Sequence, residues 1–206
     1  MNIKNFIRRV ERRLYLDIKR KKLKNKNPTV FSANCNGAMI LHDMQCRFNS
    51  PFVNLFLSAE DFLKFLKDPE KYLGTEPIEI KTQKAFPVGK ISDITVYFMH
   101  YKSFDEAKQK WIERSKRVNM DNLFVMMTDK NGCTKEHIAE FDSLPYKNKV
   151  IFTHKPYPEF KSAYYIKGFE NGSEVGVLSD DKPCFFKRRW LDDFDYVKFL
   201  NGEGIE

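Results

Sequence analysis

The sequence of 206 residues contains no long apolar run. A membrane-spanning helix needs about 18 or more apolar residues in succession, and no segment approaches that length. The N-terminus also lacks the short apolar segment of a secretory signal peptide. We therefore expect a globular protein of the cytoplasm.

Glycine and proline are scarce, with nine of each, which argues against a collagen-like or low-complexity chain. The four cysteines, Cys35, Cys46, Cys133 and Cys184, are far apart and lack the short paired spacing of zinc sites. The histidines also lack a metal-binding spacing. We therefore predict reduced cysteines and no metal site, and no feature of the sequence identifies a cofactor.

Aromatic residues are abundant, with 19 Phe and 9 Tyr, so the chain is unlike a disordered protein. A chain of this length buries about 70% of the surface that its unfolded form exposes, which is enough for a core without disulfides. We expect one α/β domain over residues 29–206, preceded by a basic amphipathic helix within residues 1–28.

The positive charge lies almost entirely in residues 1–28. The whole chain has a formal net charge of +8, and this segment holds eleven Lys and Arg against two acidic residues. Its apolar residues recur at steps of three and four, which predicts a helix with one apolar stripe. This stripe consists of Ile3, Phe6, Ile7, Val10, Leu14 and Ile18.

Three hypotheses fit this segment. In the first, the helix packs its stripe on the core and leaves its charges in solvent, as is usual for an amphipathic helix. In the second, the helix lies on an anionic membrane surface. In the third, it binds nucleic acid, although the rest of the chain offers no basic surface to extend such a contact. We rank the membrane above nucleic acid.

Strand-like and helix-like segments alternate along residues 29–206, which predicts a three-layer α/β/α domain with a Rossmann-like sheet. The expected strands are 29–32, 52–57, 91–101, 123–127, 150–152, 163–166 and 175–178, and the expected helices are 37–42, 59–72, 103–118, 134–141 and 188–200. Because the last two strands flank an Asn-Gly turn in the manner of a hairpin, we expect a mostly parallel or mixed sheet.

Polar side chains follow several of these strands. Ligands bind outside the carboxyl ends of the strands in open α/β sheets, so these residues define a candidate site. They are Asn34, Asn36, Gly37, His42, Asp43, Asn49, Ser50, Asn54, His100, Thr128 and Asp129. Amides suit the hydroxyl groups of a sugar, because each amide both donates and accepts hydrogen bonds.

These residues also have structural interpretations. Asn34 and Asn36 are typical of turns in which the side chain satisfies the backbone. His42 and Asp43 are candidate catalytic residues, but neighbours on a helix do not face each other, so their adjacency is no evidence for a catalytic pair. His100, at the end of a predicted buried strand, is the better candidate for a general base.

Arg114 and Arg117 lie three residues apart on one face of a predicted helix, and Asp121 and Asn122 follow them. Two interpretations stay open. The cations favour the dipole at the helix C-terminus, or they bind the phosphate of a nucleotide-sugar or acyl-CoA donor, for which guanidinium groups have a suitable forked geometry. The sequence has no glycine-rich phosphate loop to bind such a donor instead.

Seven segments of the chain, which include many of the candidate residues above, resemble segments of a known family. They are residues 31–37, 40–43, 48–56, 98–101, 107–117, 121–124 and 146–152. In these segments the chain resembles a bacterial family of uncharacterised proteins whose members commonly lie in capsule and exopolysaccharide gene clusters. Its members are labelled exopolysaccharide biosynthesis proteins or acetyltransferases, and the resemblance implies a role in polysaccharide synthesis.

The leading hypothesis is a transferase, for acyl or glycosyl groups, that modifies a sugar at the inner face of the cell membrane. His100 or His42 would act as the base, the asparagines would orient the sugar, and the two arginines would hold the donor phosphate. The alternative is a non-catalytic glycan-binding or assembly protein that docks on the membrane through residues 1–28. A nucleic-acid-binding protein is the weakest of the three.

Overall fold

The computed structural model describes residues 3–205 of the chain, apart from the side chain of Lys4. The α-helices are α1 (Ile3–Lys22), α2 (Asn36–Asp43), α3 (Ala59–Lys67), α4 (Pro69–Leu73), α5 (Phe104–Ser115), α6 (Lys135–Ser143) and α7 (Tyr196–Leu200). The strands are β1 (Thr29–Ser32), β2 (Ile78–Glu79), β3 (Val88–Ile91), β4 (Ile94–Tyr97), β5 (Leu123–Thr128), β6 (Lys149–Thr153) and β7 (Ala163–Tyr165). Two short 3₁₀ helices cover Met120–Asn122 and Trp190–Asp193.

The central sheet has the strand order β1-β5-β6-β7, and all its strands are parallel. This confirms an α/β fold. The expectation of a hairpin in this sheet is wrong, because β7 pairs with β6 in parallel and residues 175–178 form no strand. The antiparallel strands β2, β3 and β4 form a separate three-stranded sheet.

Two predicted strands have a different structure. Residues 91–101 contain the end of the β3–β4 hairpin rather than one long strand, and Ser92 at its turn has a positive φ of 55°. Residues 52–57 have an irregular backbone, apart from an isolated β-bridge between Phe56 and Tyr97. Neither segment belongs to the central sheet.

Side chains alternate along the central strands between two apolar cores. Phe31, Val125 and Met127 point into one core, which includes residues of α3, α5 and α6. Phe124 and Met126 point into the other, which includes residues of α1, α2 and α7. A parallel sheet buried on both faces requires helices on both faces, and the domain therefore has the three layers that the sequence predicts.

Local chemistry sets the helix ends. Ser58 and Ser103 each accept a backbone N–H three residues ahead, as expected for N-caps. The predicted helix over 59–72 is divided at Asp68, which caps α4 ahead of Pro69. The predicted helix over 188–200 is also divided, because Asp195 caps the short α7 by accepting two backbone N–H groups.

Helix α1 forms where the sequence predicts it, but it packs in the opposite orientation. The residues of the predicted apolar stripe are all exposed, with fractional exposures from 43% at Val10 to 76% at Ile3. The buried face carries Leu16 and the charged Arg12 instead. Of the three hypotheses for this segment, the one in which the stripe packs on the core is therefore wrong.

Arg12 explains this orientation. Its guanidinium donates to Asp43 at the end of α2, at 2.7 Å, and to Asp192 in the second 3₁₀ helix, at 2.5 Å. All three side chains are at most 10% exposed. Buried charges are tolerated only when paired and hydrogen-bonded, so this network fixes the polar face of α1 against the body of the protein.

The outer edge of β1 is covered by residues 49–57. The Ser50 hydroxyl donates to the Val30 carbonyl at 2.5 Å, and the Leu57 N–H donates to the Ala33 carbonyl at 3.0 Å. Covering an edge strand in this way satisfies backbone groups that would otherwise be available for unwanted pairing.

None of the helices in residues 3–205 has the length and apolar composition of a membrane-spanning segment.

Substituting Ser50→Ala should lower the free energy of unfolding by about 1–2 kcal/mol, because the buried Val30 carbonyl loses the serine hydroxyl that donates to it. Urea-induced unfolding followed by circular dichroism measures the change. Ser173→Ala, at an exposed bend, is the matched control and should leave the midpoint unaltered. Equal midpoints for the two variants would show that the edge contact contributes nothing.

Candidate ligand-binding cleft

An open cleft of about 470 Å³ lies on the β1 side of the domain. Four separate parts of the chain supply its walls: α2 with the turn before it, the segment that covers β1, the loop after β4, and the end of α5. Arg189 closes one side. The lining residues are Cys35, Ala38, Met39, His42, Asp43, Phe48, Val53, Asn54, His100, Arg114 and Arg189. Segments around residues 35–54 and 100–114 therefore converge.

Helix α2 can lie close to β1 because its second residue is Gly37. A Cβ atom at this position would lie 2.8 Å from both Ser32 Cβ and Val30 Cγ1. The Gly37 N–H donates to the Ser32 hydroxyl at 3.2 Å. Gly37 is thus needed for the close approach of helix and strand, and it is not one of the residues that line the cleft.

His42 and Asp43 both face the cleft but do not form a catalytic pair. His42 Nδ1 lies 3.9 Å from Asp43 Oδ1, beyond hydrogen-bond distance. The other oxygen of Asp43 accepts from Arg12 at 2.7 Å and from Arg189 at 2.9 Å. Asp43 therefore positions two guanidinium groups rather than activating His42, whose side chain is 82% exposed.

His100 and Asn54 form the opposite wall. His100 is exposed in the loop that follows β4, so its predicted place at the end of a buried strand is wrong. Its backbone N–H donates to the carbonyl of Asn54 at 3.2 Å. Asn54 has a positive φ of 61°, which asparagine tolerates better than most residues. This contact holds both side chains at the mouth of the cleft.

Arg114 is held in place by its neighbours. Its Nη1 donates to the Tyr101 hydroxyl at 2.8 Å, and that hydroxyl donates to the Val53 carbonyl at 3.0 Å. The guanidinium also lies over the ring of Phe48, 5.6 Å from its centre. Among the described residues, these contacts leave other N–H groups of the guanidinium free to donate to a ligand.

Arg117 is engaged elsewhere. Its guanidinium pairs with Glu113, one turn back on α5, and donates to the carbonyl of Phe48 at 3.3 Å. It does not line the cleft. Arg114 therefore shares the cleft with Arg189 rather than with Arg117.

Cys35 lies at the base of the cleft. Its thiol contacts the carbonyl of Leu55 at 3.7 Å. Burial raises the pKa of this thiol above its ordinary value. Because only the thiolate is a strong nucleophile, Cys35 is a wall residue rather than an attacking group.

Two of the predicted asparagines sit next to the cleft and serve the fold. The Asn34 amide donates to the Thr128 hydroxyl at 3.0 Å, and its oxygen accepts the N–H of Asn36 at 3.1 Å. Asn36 itself is buried at the start of α2. The structure supports the turn interpretation for Asn34.

Four further candidates do not line the cleft. Residues that precede a parallel strand lie at the amino edge of the sheet, opposite the carboxyl ends, and this places Asp121 and Asn122 before β5 on the wrong side. Asn122 bonds to Asn25, and Asn49 bonds to Asn27 at 2.6 Å, while Ser50 holds β1. Their expected contacts with a sugar are therefore not supported.

Sequence reasoning missed Arg189, which stands 146 residues from its partner Asp43. It also missed His154, whose Nδ1 lies 2.5 Å from Asp129 Oδ2 at the carboxyl ends of β6 and β5. Asp129 additionally accepts the backbone N–H groups of His154 and Val175, both at 2.7 Å. The signal for this buried pair was available, since Asp129 and His154 each lie two residues beyond the end of a predicted strand.

In the part of the chain that the structure describes, no group of three or more His, Cys, Asp and Glu side chains is arranged to hold a metal ion.

The chain matches a family model along most of its length. Residues 6–201 match the family described as Domain of unknown function (DUF1919). The chain belongs to this family. A similar protein of Haemophilus influenzae, described as an uncharacterized protein, is 54% identical over 182 residues, which cover 88% of this chain and 87% of that protein. The cleft lies within the matched residues.

Substituting Asp129→Asn should lower the free energy of unfolding by about 2 kcal/mol. The two buried carboxylate oxygens of Asp129 accept three N–H groups. In asparagine an NH2 group replaces one of these oxygens, so at least one donor loses its partner. Asp121→Asn is the matched control, since Asp121 is exposed, and its thermal midpoint should equal that of the unmodified protein. A stable Asp129→Asn variant would refute the structural role of the pair.

Proposed function

We propose that the protein is a transferase that modifies a sugar, with an acyl-CoA or nucleotide-sugar donor bound in the cleft. The observation that carries this proposal is the composition of the cleft. Two imidazoles, His42 and His100, share it with two positioned guanidinium groups, Arg114 and Arg189. Imidazoles suit proton transfer near neutral pH, and guanidinium groups suit phosphate.

The arginines would hold the donor. Arg114 is oriented by Tyr101 at 2.8 Å, and Arg189 by Asp43 at 2.9 Å. A guanidinium that is already oriented loses less side-chain entropy on binding than a free one. A diphosphate group between the two arginines would leave the remainder of the donor against the apolar wall of Ala38, Met39 and Phe48.

One imidazole would act as the base for the acceptor. General-base catalysis on a sugar requires a group that removes the hydroxyl proton as that oxygen attacks the donor. His42 and His100 both border the cleft and both are exposed, so each is accessible to an incoming hydroxyl. Asn54 stands beside His100 and is the one predicted sugar-binding amide that lines the cleft.

The place of this reaction in exopolysaccharide or capsule synthesis is part of the proposal. Its support is the resemblance of residues 31–56 and 98–124 to proteins that carry such labels, and these segments build the cleft. A peripheral location on the inner face of the cell membrane is also proposed. It is supported by the exposed apolar stripe of α1.

A non-catalytic glycan-binding protein is the alternative. The observation that favours it is that, among the described residues, neither imidazole in the cleft has a hydrogen bond to a carboxylate. The nearer Asp43 oxygen lies 3.9 Å from His42. Catalytic histidines commonly have such a partner to fix the tautomer. A binding protein would use the same arginines and Asn54 and would need no base.

Binding of the donor tests the role of the arginines. Isothermal titration with UDP-glucose and with acetyl-CoA should detect one of the two donors. Arg114→Gln should weaken that binding about tenfold or more, since a charge-assisted hydrogen bond is worth about 1.5–3 kcal/mol. Arg117→Gln, on the same helix but outside the cleft, is the control and should bind normally. Failure of the unmodified protein to bind either donor contradicts a transferase.

Slow hydrolysis of the bound donor tests the role of the histidines. Replacing both His42 and His100 by Gln should abolish hydrolysis while donor affinity stays within about twofold, because a base contributes to the reaction rather than to binding, and its loss typically costs about 100-fold or more in rate. Chromatography of the products measures the rate. His137→Gln, at a half-buried histidine outside the cleft, serves as the control. Donor binding without any hydrolysis in the unmodified protein would favour the glycan-binding alternative.

A further inference from the structure

The outward face of α1 is a continuous apolar strip. Its six large side chains lie on one side of the helix, and Ile3, Leu14 and Ile18 are exposed by 76%, 59% and 56%. Helical geometry places this strip almost opposite Arg12 and Leu16, which are buried. A continuous exposed strip of six large apolar side chains usually marks a surface that contacts a partner or a membrane.

A second segment extends the strip. Phe185 and Phe186 are exposed by 71% and 53%, and their loop is tied to α1 where Arg188 pairs with Glu11 at 2.6 Å. Ile3, Ile7 and Phe185 line a shared shallow cavity of about 250 Å³. Ile7 and Phe185, which are 178 residues apart in the chain, therefore present their side chains on one surface.

Positive charge borders this surface. Arg9 and Arg13 flank the strip on one side, Lys22 flanks it on the other, and Lys21 lies at its end. All four are exposed. The acidic residues of the helix are already paired: Asp17 with Arg20 at 2.8 Å, and Glu11 with Arg188. The border therefore carries net positive charge.

We propose that the strip of α1, together with Phe185 and Phe186, binds the surface of an anionic lipid bilayer. This inference specifies the surface behind the proposed peripheral location and does not depend on the transferase chemistry. An interfacial helix lies in the membrane plane with its apolar side chains among the acyl chains and its Lys and Arg near the headgroups. The aromatic pair would enter the headgroup region beside the helix.

The charge pattern favours a bilayer over a second copy of the chain. In a symmetric dimer the same patch would face itself, which would bring the two basic borders together and make them repel. An anionic membrane complements both features, since its interior receives the apolar strip and its headgroups neutralise the border. Nucleic acid would neutralise the border alone and leave six apolar side chains without a partner.

Sedimentation with vesicles tests the proposal. The full-length protein should bind vesicles of phosphatidylcholine mixed with phosphatidylglycerol and should bind pure phosphatidylcholine about tenfold less, with the difference reduced by added salt. The double variant Ile7→Ser, Leu14→Ser should lose at least about tenfold in binding to the mixed vesicles. It should keep the unmodified thermal midpoint, because both side chains are exposed.

Ile78→Ser is the matched control, since Ile78 is 72% exposed on the separate antiparallel sheet. It should bind vesicles like the unmodified protein. Phe185→Ser, Phe186→Ser should weaken binding as well if the loop belongs to the same surface. Full binding by the α1 double variant, or equal binding of the unmodified protein to both vesicle types, would overturn the proposal.

Analytical ultracentrifugation distinguishes the rival occupant. A dimer that disappears in the α1 double variant, with no vesicle binding by the unmodified protein, would assign the strip to self-association and refute the membrane surface. Titration of the same variant with UDP-glucose and acetyl-CoA separates this inference from the transferase. If this variant binds a donor normally but no longer binds vesicles, its substitutions have removed only the membrane-binding surface. If no variant binds a donor, only the proposed transferase chemistry is refuted.

Discussion

The buried guanidinium of Arg12 determines how the outer parts of this protein are arranged. It joins α1 to Asp43 at the end of α2 and to Asp192 near the C-terminus. Removing one partner of such a group leaves an uncompensated buried charge, which typically costs about 3–5 kcal/mol. An amphipathic helix would otherwise turn its apolar stripe inward. Here the ion network outweighs that tendency, and the stripe faces outward.

The same network connects the two surfaces for which we propose functions. Asp43 accepts from both Arg12 and Arg189, so the docking of α1 and the orientation of Arg189 in the cleft depend on one carboxylate. Lys19 strengthens the docking, since its ammonium lies 3.9 Å from the ring centre of Tyr196. The cleft and the exposed strip are therefore built on the same helix-to-body contact, from opposite sides.

Local signals in the sequence predict much of the fold. The buried strands β1, β5 and β6 and the caps Ser58 and Ser103 depend on neighbouring residues, and each was found where it was expected. The facing of α1 could not be predicted, because its cause is a contact between residues 180 positions apart. The cleft was predictable in part. His42, Asn54, His100 and Arg114 line it, whereas Asp121 and Asn122 lie at the opposite sheet edge, since they precede their strand.

The orientation of α1 is most directly tested by the rate at which a thiol on each face reacts with a maleimide. Leu14 is 59% exposed and Leu16 is 8% exposed. Leu14→Cys should therefore react at nearly the rate of the unfolded chain, and Leu16→Cys should react at least about tenfold more slowly. Mass spectrometry of the peptides resolves these sites from the native cysteines. Fast reaction at position 16 and protection at position 14 would show that the stripe packs inward and would contradict the account.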